Sequence, residues 1–474
     1  MSKRLFVLVS LVIATSMLLA ACGGAATPAP TAMPAPTTAP TSAPAPTTAP
    51  AATSASAATS APAATTAPVA TAAVNPPYSG APVATLKIVS DLPMTGSSLT
   101  QTQTIVNAEQ LRLAEANNLA CGGKYALAYE IDDDATAATG AWDGATETQN
   151  ATKAAADPSV IAYLGTFNSG AAKLSIPITN QANDLLMFSP ANTYPGLTHV
   201  AAGITAPNEP NVYYPTGQRN YARLAADDDL QGPVDVNFMV SLGIKSLYIL
   251  NDTQAYGLGI ANSVQQAATK AGITVIANEG YDSKASNYQA LMTKISTSNN
   301  GNPPDMIFLG AVVDSNTAQV MKDKVSIMGD NTKVKFMGPD GIYTQAFIDG
   351  SGATVAEGAY ASTPGVQTKD LNAIGQKFYA DYAAKYGPTN EPYAVYGYDV
   401  MNALLAAIED VCAAGGNPTD RPTVTKAVFA LKNFQGALGT YSIDPNGDIT
   451  LPYFLIGQAQ SGKFVGIGTF SLSK

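Results

Sequence analysis

The chain has 474 residues and a formal net charge of −10, from 25 Lys and Arg against 35 Asp and Glu. That acidic balance argues against a nucleic-acid partner, which needs a basic face, and one His with three Cys leaves almost no metal-ligand chemistry. No metal or cofactor is expected, and the length leaves room for two domains behind a non-globular leader.

The leader comes first in the chain. Lys3 and Arg4 precede an almost wholly apolar run over 5–19, and Leu19-Ala20-Ala21-Cys22 follows at once. A basic head, an apolar stretch and small residues before a cleavage point describe a secretory signal. The run of about fifteen residues falls short of the roughly 20 that a helix needs to span a bilayer. With Cys22 directly after the small pair, the segment resembles the lipobox of bacterial lipoproteins. The resemblance implies a signal over 1–21, lipidation of Cys22 and a place on the extracytoplasmic face of the cell membrane; an ordinary signal with an incidental cysteine is the alternative. From 22 to 82 the chain is mostly Ala, Thr, Pro and Ser, with no charge after the leader until Lys87. Such a stretch lacks the bulky apolar groups needed to offset its ordering entropy. Its prolines favour an extended spacer of up to about 190 Å at roughly 3.1 Å per residue.

Beyond the tether, strand and helix patterns alternate. Strands are expected at 86–89, 125–131 and 160–164, with helices at 102–118 and 141–155. The rhythm returns with strands at 245–250, 273–277 and 306–309 and helices at 256–271, 286–297 and 317–328. This alternation implies βαβ units and parallel sheets. Two such blocks flank an irregular stretch rich in Pro and Tyr around 206–223. The expected fold is α/β, two doubly wound parallel-sheet lobes with a ligand cleft at the hinge. Cys121 and Cys412 remain once Cys22 is assigned. In an oxidising compartment they read as a disulfide, two buried free thiols being the alternative.

In open α/β sheets ligands sit beyond the carboxyl ends of the strands. Gly165-Thr166-Phe167-Asn168-Ser169-Gly170 leads into a helix, and Ser189-Pro190-Ala191-Asn192-Thr193 is a second small, polar turn. A helix start of this kind offers free N–H groups to an anion, although Ser169 as a plain N-cap fits the same residues. Asn251-Asp252-Thr253-Gln254-Ala255-Tyr256-Gly257-Leu258-Gly259 lacks the third glycine of a dinucleotide fingerprint. Met337-Gly338-Pro339-Asp340-Gly341 places an acid in a turn. His199, between Thr198 and Val200, reads as an ordinary strand residue.

Taken in order, these segments resemble the leucine/isoleucine/valine-binding proteins, type I periplasmic-binding folds that serve ABC importers. The resemblance runs from about residue 86 to 462. It includes Pro93-Met94-Thr95-Gly96, Asp229-Leu230-Gln231-Gly232-Pro233 and Asp444-Pro445-Asn446-Gly447-Asp448. It implies a first lobe of 83–226 and 361–455 and a second of 227–360 and 456–474. It also implies that Ser169, Thr193 and the backbone of Ala191 hold an α-carboxylate, that Asp340 receives an ammonium, and that Tyr256 lines the cleft. Asn168 joins the pocket lining, as do Gln101 and Val312 where the family carries tyrosines. The expected function is that of a monomeric solute-binding lipoprotein, capturing an amino acid, most readily a branched-chain one, for an ABC permease and its ATPase. An amide or urea ligand, or a ligand-sensing receptor role, fits the same residues. Neither a Gly-x-Ser-x-Gly elbow nor a Walker A motif occurs, so catalysis is not expected.

Overall fold

The computed structural model describes residues 75–472; the signal over 1–21, the lipidation site Cys22 and the tether as far as residue 74 lie outside the described residues. The end of the expected tether is fixed rather than free. The Asn75 side chain donates to the backbone oxygen of Glu409 at 2.9 Å and to its carboxylate at 2.6 Å. The Tyr78 N–H donates to the Gly122 carbonyl at 2.8 Å. These partners draw the body's boundary back from residue 82 to about residue 75.

Two sheets carry the structure. The first is six-stranded, in the order Leu119–Ala120, Tyr125–Asp133, Ala84–Leu92, Val160–Gly165, Leu186–Ser189, Tyr221–Arg223. It is parallel except for the Leu119–Ala120 edge. The second is seven-stranded: Thr274–Gly280, Ser246–Asn251, Met306–Gly310, Lys335–Gly338, Tyr360–Pro364, Tyr453–Gln460, Lys463–Ser471. Its first five strands are parallel and its last two antiparallel. Val160–Gly165, Ser246–Asn251 and Met306–Gly310 are buried along their whole length. Helices cover both faces of such strands, which is why they read as continuous apolar runs. No helix among the described residues is long and apolar enough to cross a membrane.

Local chemistry explains where the elements start. The helix expected at 141–155 begins only at Gly144, because Asp143 caps it by accepting the N–H groups of Ala145 and Thr146. Ahead of it, Ala141–Trp142 pairs with Ala135–Thr136 as a short hairpin. The 206–218 segment folds over the helix Ser169–Gln181. Glu209 accepts the hydroxyl of Tyr194 at 2.7 Å and of Tyr213 at 2.5 Å and pairs with Lys173 at 2.9 Å. Residues 444–448 form a closed turn, with the Asp448 N–H on the Asp444 carboxylate at 2.9 Å.

The chain passes between the sheets three times, near 224–227, 365–372 and 449–452. The second passage comes after Pro364 rather than at 361, and the third comes before Tyr453 rather than at 456. Both shifts have one cause: Tyr360–Pro364 pairs antiparallel with Tyr453–Gln460, so both strands belong to the second sheet. Cys121 and Cys412 form a disulfide across a separation of 291 residues, joining the edge of the first sheet to the end of the buried helix Ala394–Ala413.

Glu109, on the helix Leu99–Glu115, is fully buried and accepts the Tyr129 hydroxyl. Burial pushes its carboxyl up to about 8 from 4.5. Across that interval the folded chain keeps a proton that the unfolded chain releases, so this group's effect on stability turns unfavourable as pH rises. The slope is at most about 1.4 kcal/mol per pH unit. Glu109→Gln removes that slope. Urea unfolding of both forms at about pH 5 and about pH 7.5 is expected to show the variant gaining on the wild type at the higher pH.

Candidate functional site

Loops from the carboxyl ends of both sheets meet in one cleft. Phe167, Asn168 and Ser169 follow Val160–Gly165, and Ala191 and Thr193 follow Leu186–Ser189. From the second sheet come Tyr256, Val312, Asp340 and Gly341. Asn168 is the N-cap of the helix Ser169–Gln181 and makes no side-chain cap bond, so that helix's first N–H groups have no side-chain acceptor. Ser169 is thus the first helical residue and not the cap. Its hydroxyl accepts the Tyr194 N–H at 3.3 Å. Asn168 Oδ1 and Thr193 Oγ1 are buried without a well-formed hydrogen bond.

Asp340 is the electrostatic centre. Tyr256 donates to its Oδ1 at 2.8 Å and Tyr393 to its Oδ2 at 2.7 Å. The Tyr256 hydroxyl in turn accepts the Gly341 N–H at 2.9 Å. A side chain at Gly341 would collide, since a Cβ there would lie 2.7 Å from the Ala311 carbonyl and 2.9 Å from the Tyr256 ring. Burial raises the Asp340 carboxyl, and the phenols and Gln231 pull it back only partly. Asp228 and Asp235, also wholly buried, are held far above the carboxylate range by burial, with the Asp340 charge adding to it. Of the three, Asp340 is the one held by two phenol donors. Among the described residues no Lys, Arg or His lines the cleft. A buried carboxylate without a cation favours a cationic group from outside.

Polar contacts close the cleft. Ser98 donates from its N–H at 2.8 Å and its hydroxyl at 2.5 Å to Asp314. The Trp142 indole donates to Gln254 at 2.7 Å. Gln101 donates to the Tyr343 carbonyl at 3.2 Å. Gln101 is therefore a bridge between the lobes and stands outside the cleft lining. The Ala191 N–H is occupied by Ser189 Oγ at 3.1 Å. The closed space is small, about 10 Å³ for the centre of a water-sized sphere. Tyr393, Asp228, Gln231 and Asp235 escaped the sequence reading. The Asp229-Leu230-Gln231-Gly232-Pro233 motif pointed to that neighbourhood, but nothing local to Tyr393 reveals that it reaches Asp340.

His199 is not a strand residue. It follows the turn Pro195–Leu197 and bridges Asp229 at 3.1 Å and Asp448 at 3.2 Å. Among the described residues, His199, Asp227 and Asp448 lie close enough to share an ion. Asp229 and then Asp448 push the His199 pKa up to about 10, so the ring is an imidazolium without a free lone pair. The fully buried Arg223 completes the cluster, its Nε 2.7 Å from Asp448. The cluster is an ion-pair knot.

A periplasmic binding protein family model matches residues 85–463. The chain belongs to the periplasmic binding proteins. Among its relatives is the Leu/Ile/Val-binding protein BraC3 of Rhizobium johnstonii, 24% identical over 309 residues, which covers 64% of this chain and 74% of that protein. Among solved structures, the leucine binding protein LivK of Thermotoga maritima superposes with a TM-score of 0.68 at 22% identity, over 81% of this chain and 99% of that one. A solute binding protein from R. palustris in complex with benzoate gives 0.64 at 19%, over 83% and 98%. Of these proteins, one is named for Leu, Ile and Val, one for leucine, and one holds benzoate.

Trp142 is the sole tryptophan in the sequence, and its bond to Gln254 spans the two lobes of this binding protein. Its emission is expected to change when solute closes the cleft, and Gln254→Ala is expected to remove most of that change. Emission that stays constant through a titration in which calorimetry detects binding would mean that this rim does not move.

Proposed function

We propose that this chain is the solute-binding component of an ABC importer, taking an aliphatic amino acid between its lobes and handing it to a permease and ATPase. The ammonium would sit on Asp340 beside Tyr256. The carboxylate would take Ser169, Thr193 and the first N–H groups of the helix Ser169–Gln181, whose dipole favours negative charge. Asn168 and Val312 would border the side chain. Cys22 would carry the lipid that holds the protein on the extracytoplasmic face, with the residues before Asn75 as its tether.

The observation that carries this reading is the buried, tyrosine-held Asp340 in a cleft without a cation. An anionic aromatic acid would meet that carboxylate unpaired, which disfavours it as the cleft ligand. One observation favours a second reading: the small closed space and the unsatisfied Asn168 and Thr193 suit a compact neutral amide such as urea.

The test is calorimetric titration with leucine, isoleucine, valine, urea, acetamide and benzoate. Binding of an aliphatic amino acid is expected, and Asp340→Asn should cost about 3–5 kcal/mol by stranding the ammonium. Binding confined to urea or acetamide and indifferent to Asp340→Asn would sink the ammonium role.

The pH dependence follows from the raised Asp340 pKa. A carboxylate must be ionised to hold a cation, so affinity should be full at neutral pH. It should decline as pH falls through a value above the ordinary carboxyl value of about 3.9. A titration flat down to that ordinary value would exclude Asp340 as the counter-charge.

A further inference from the structure

A larger cavity lies on the far side of the Asp340 turn. It encloses about 290 Å³, near the lower bound of roughly 300 Å³ for small-molecule sites. All three inter-lobe passages contribute to its wall, through Leu224, Gly365 and Leu451 among others. Its body is apolar and aromatic, with Tyr343, Tyr396 and Phe464 facing the space. The Tyr343 and Phe464 rings stack with centroids 4.8 Å apart.

Its polar groups include two phenols. The Tyr343 and Tyr396 side chains are buried, and their hydroxyls make no hydrogen bond among the described residues. Each hydroxyl can donate to an acceptor placed in the cavity. Lys369, exposed at the rim, is the sole charged residue in the lining and forms no ion pair among the described residues. Among the described residues no Asp or Glu lines the space. Glu391, next to the lining residues Asn390 and Pro392, accepts the Gln345 N–H at 2.8 Å. The charge in the lining is thus cationic, where that of the cleft is the Asp340 carboxyl.

We propose that this cavity is a second small-molecule site, taking an organic monocarboxylate with an apolar or aromatic body. The body lies between the tyrosine and phenylalanine walls, and Lys369 and the free phenols recognise the acid group. The site is independent of which solute fills the cleft. It does share a wall with the cleft: Tyr343 closes the turn that begins at Asp340, and the Tyr396 ring lies 5.3 Å from that of Tyr393, which holds Asp340.

The test is calorimetric titration of the full chain with phenylacetate, benzoate and hexanoate, with benzamide as the uncharged control. At least one carboxylate is expected to bind, and benzamide more weakly. Lys369→Gln with Tyr396→Phe should weaken that binding about tenfold or more, one neutral hydrogen bond and one exposed charge being lost. Asp340→Asn should leave it unchanged. Lys369→Gln alone alters an exposed side chain, so a partial loss there separates a lost contact from misfolding. Three results would overturn the proposal: no binding by any carboxylate up to about 10 mM, equal binding of benzamide, or binding that resists the double variant. In the last case, tighter binding in Asp340→Asn, which removes the opposing carboxylate, would place the acid in the cleft.

Discussion

One buried guanidinium ties together the segments around the passages between the lobes. Arg223 ends the last strand of the first sheet and is fully inaccessible. It donates to Asp448 at 2.7 Å, to the Tyr194 carbonyl at 2.9 Å and to the Thr198 hydroxyl at 2.8 Å. Asp448 lies beside the third passage, and Asp227 in the first, 3.5 Å from Arg223. His199 adds a second cation, bound to Asp448 and to Asp229 at the start of the next helix. A buried charge of this kind is tolerable only when its partners are all in place. The knot therefore holds two of the three passages in register, and the cleft residues on both lobes inherit that register.

Within that frame, charge sorts the interior. Asp228 and Asp235 each feel Asp340, and among the described residues no cation lines the cleft. Two phenols hold Asp340. Behind it lies the space lined by Tyr343, Tyr396 and Lys369. The same short turn thus separates a chamber with a carboxyl from one with a cation at its rim.

Much of the architecture was legible because parallel α/β lobes write themselves locally. A strand covered on both faces must be apolar throughout, so 160–164, 245–250 and 306–309 stood out and were observed within a residue or two. The helix at 317–328 was observed at Thr317–Met328. What failed was set by distant pairing. The late strands Tyr360–Pro364 and Tyr453–Gln460 pair with each other across about ninety residues of chain, and no local period reports that. Gln101 looked like a pocket residue but bridges to the Tyr343 carbonyl, and His199 looked inert but joins three separate segments.

The sequence by itself determined the elements, their order and the turns that carry Ser169, Thr193, Tyr256 and Asp340, because periodicity and turn chemistry act over a few residues. Only the tertiary structure decided which of the buried acids is held by two phenols, since Tyr256 and Tyr393 lie 84 and 53 residues from Asp340 along the chain. It alone also made the hinge-side cavity, whose walls come from both lobes and all three passages. Desolvation and enclosure are properties of surroundings, and surroundings exist only once the chain has folded.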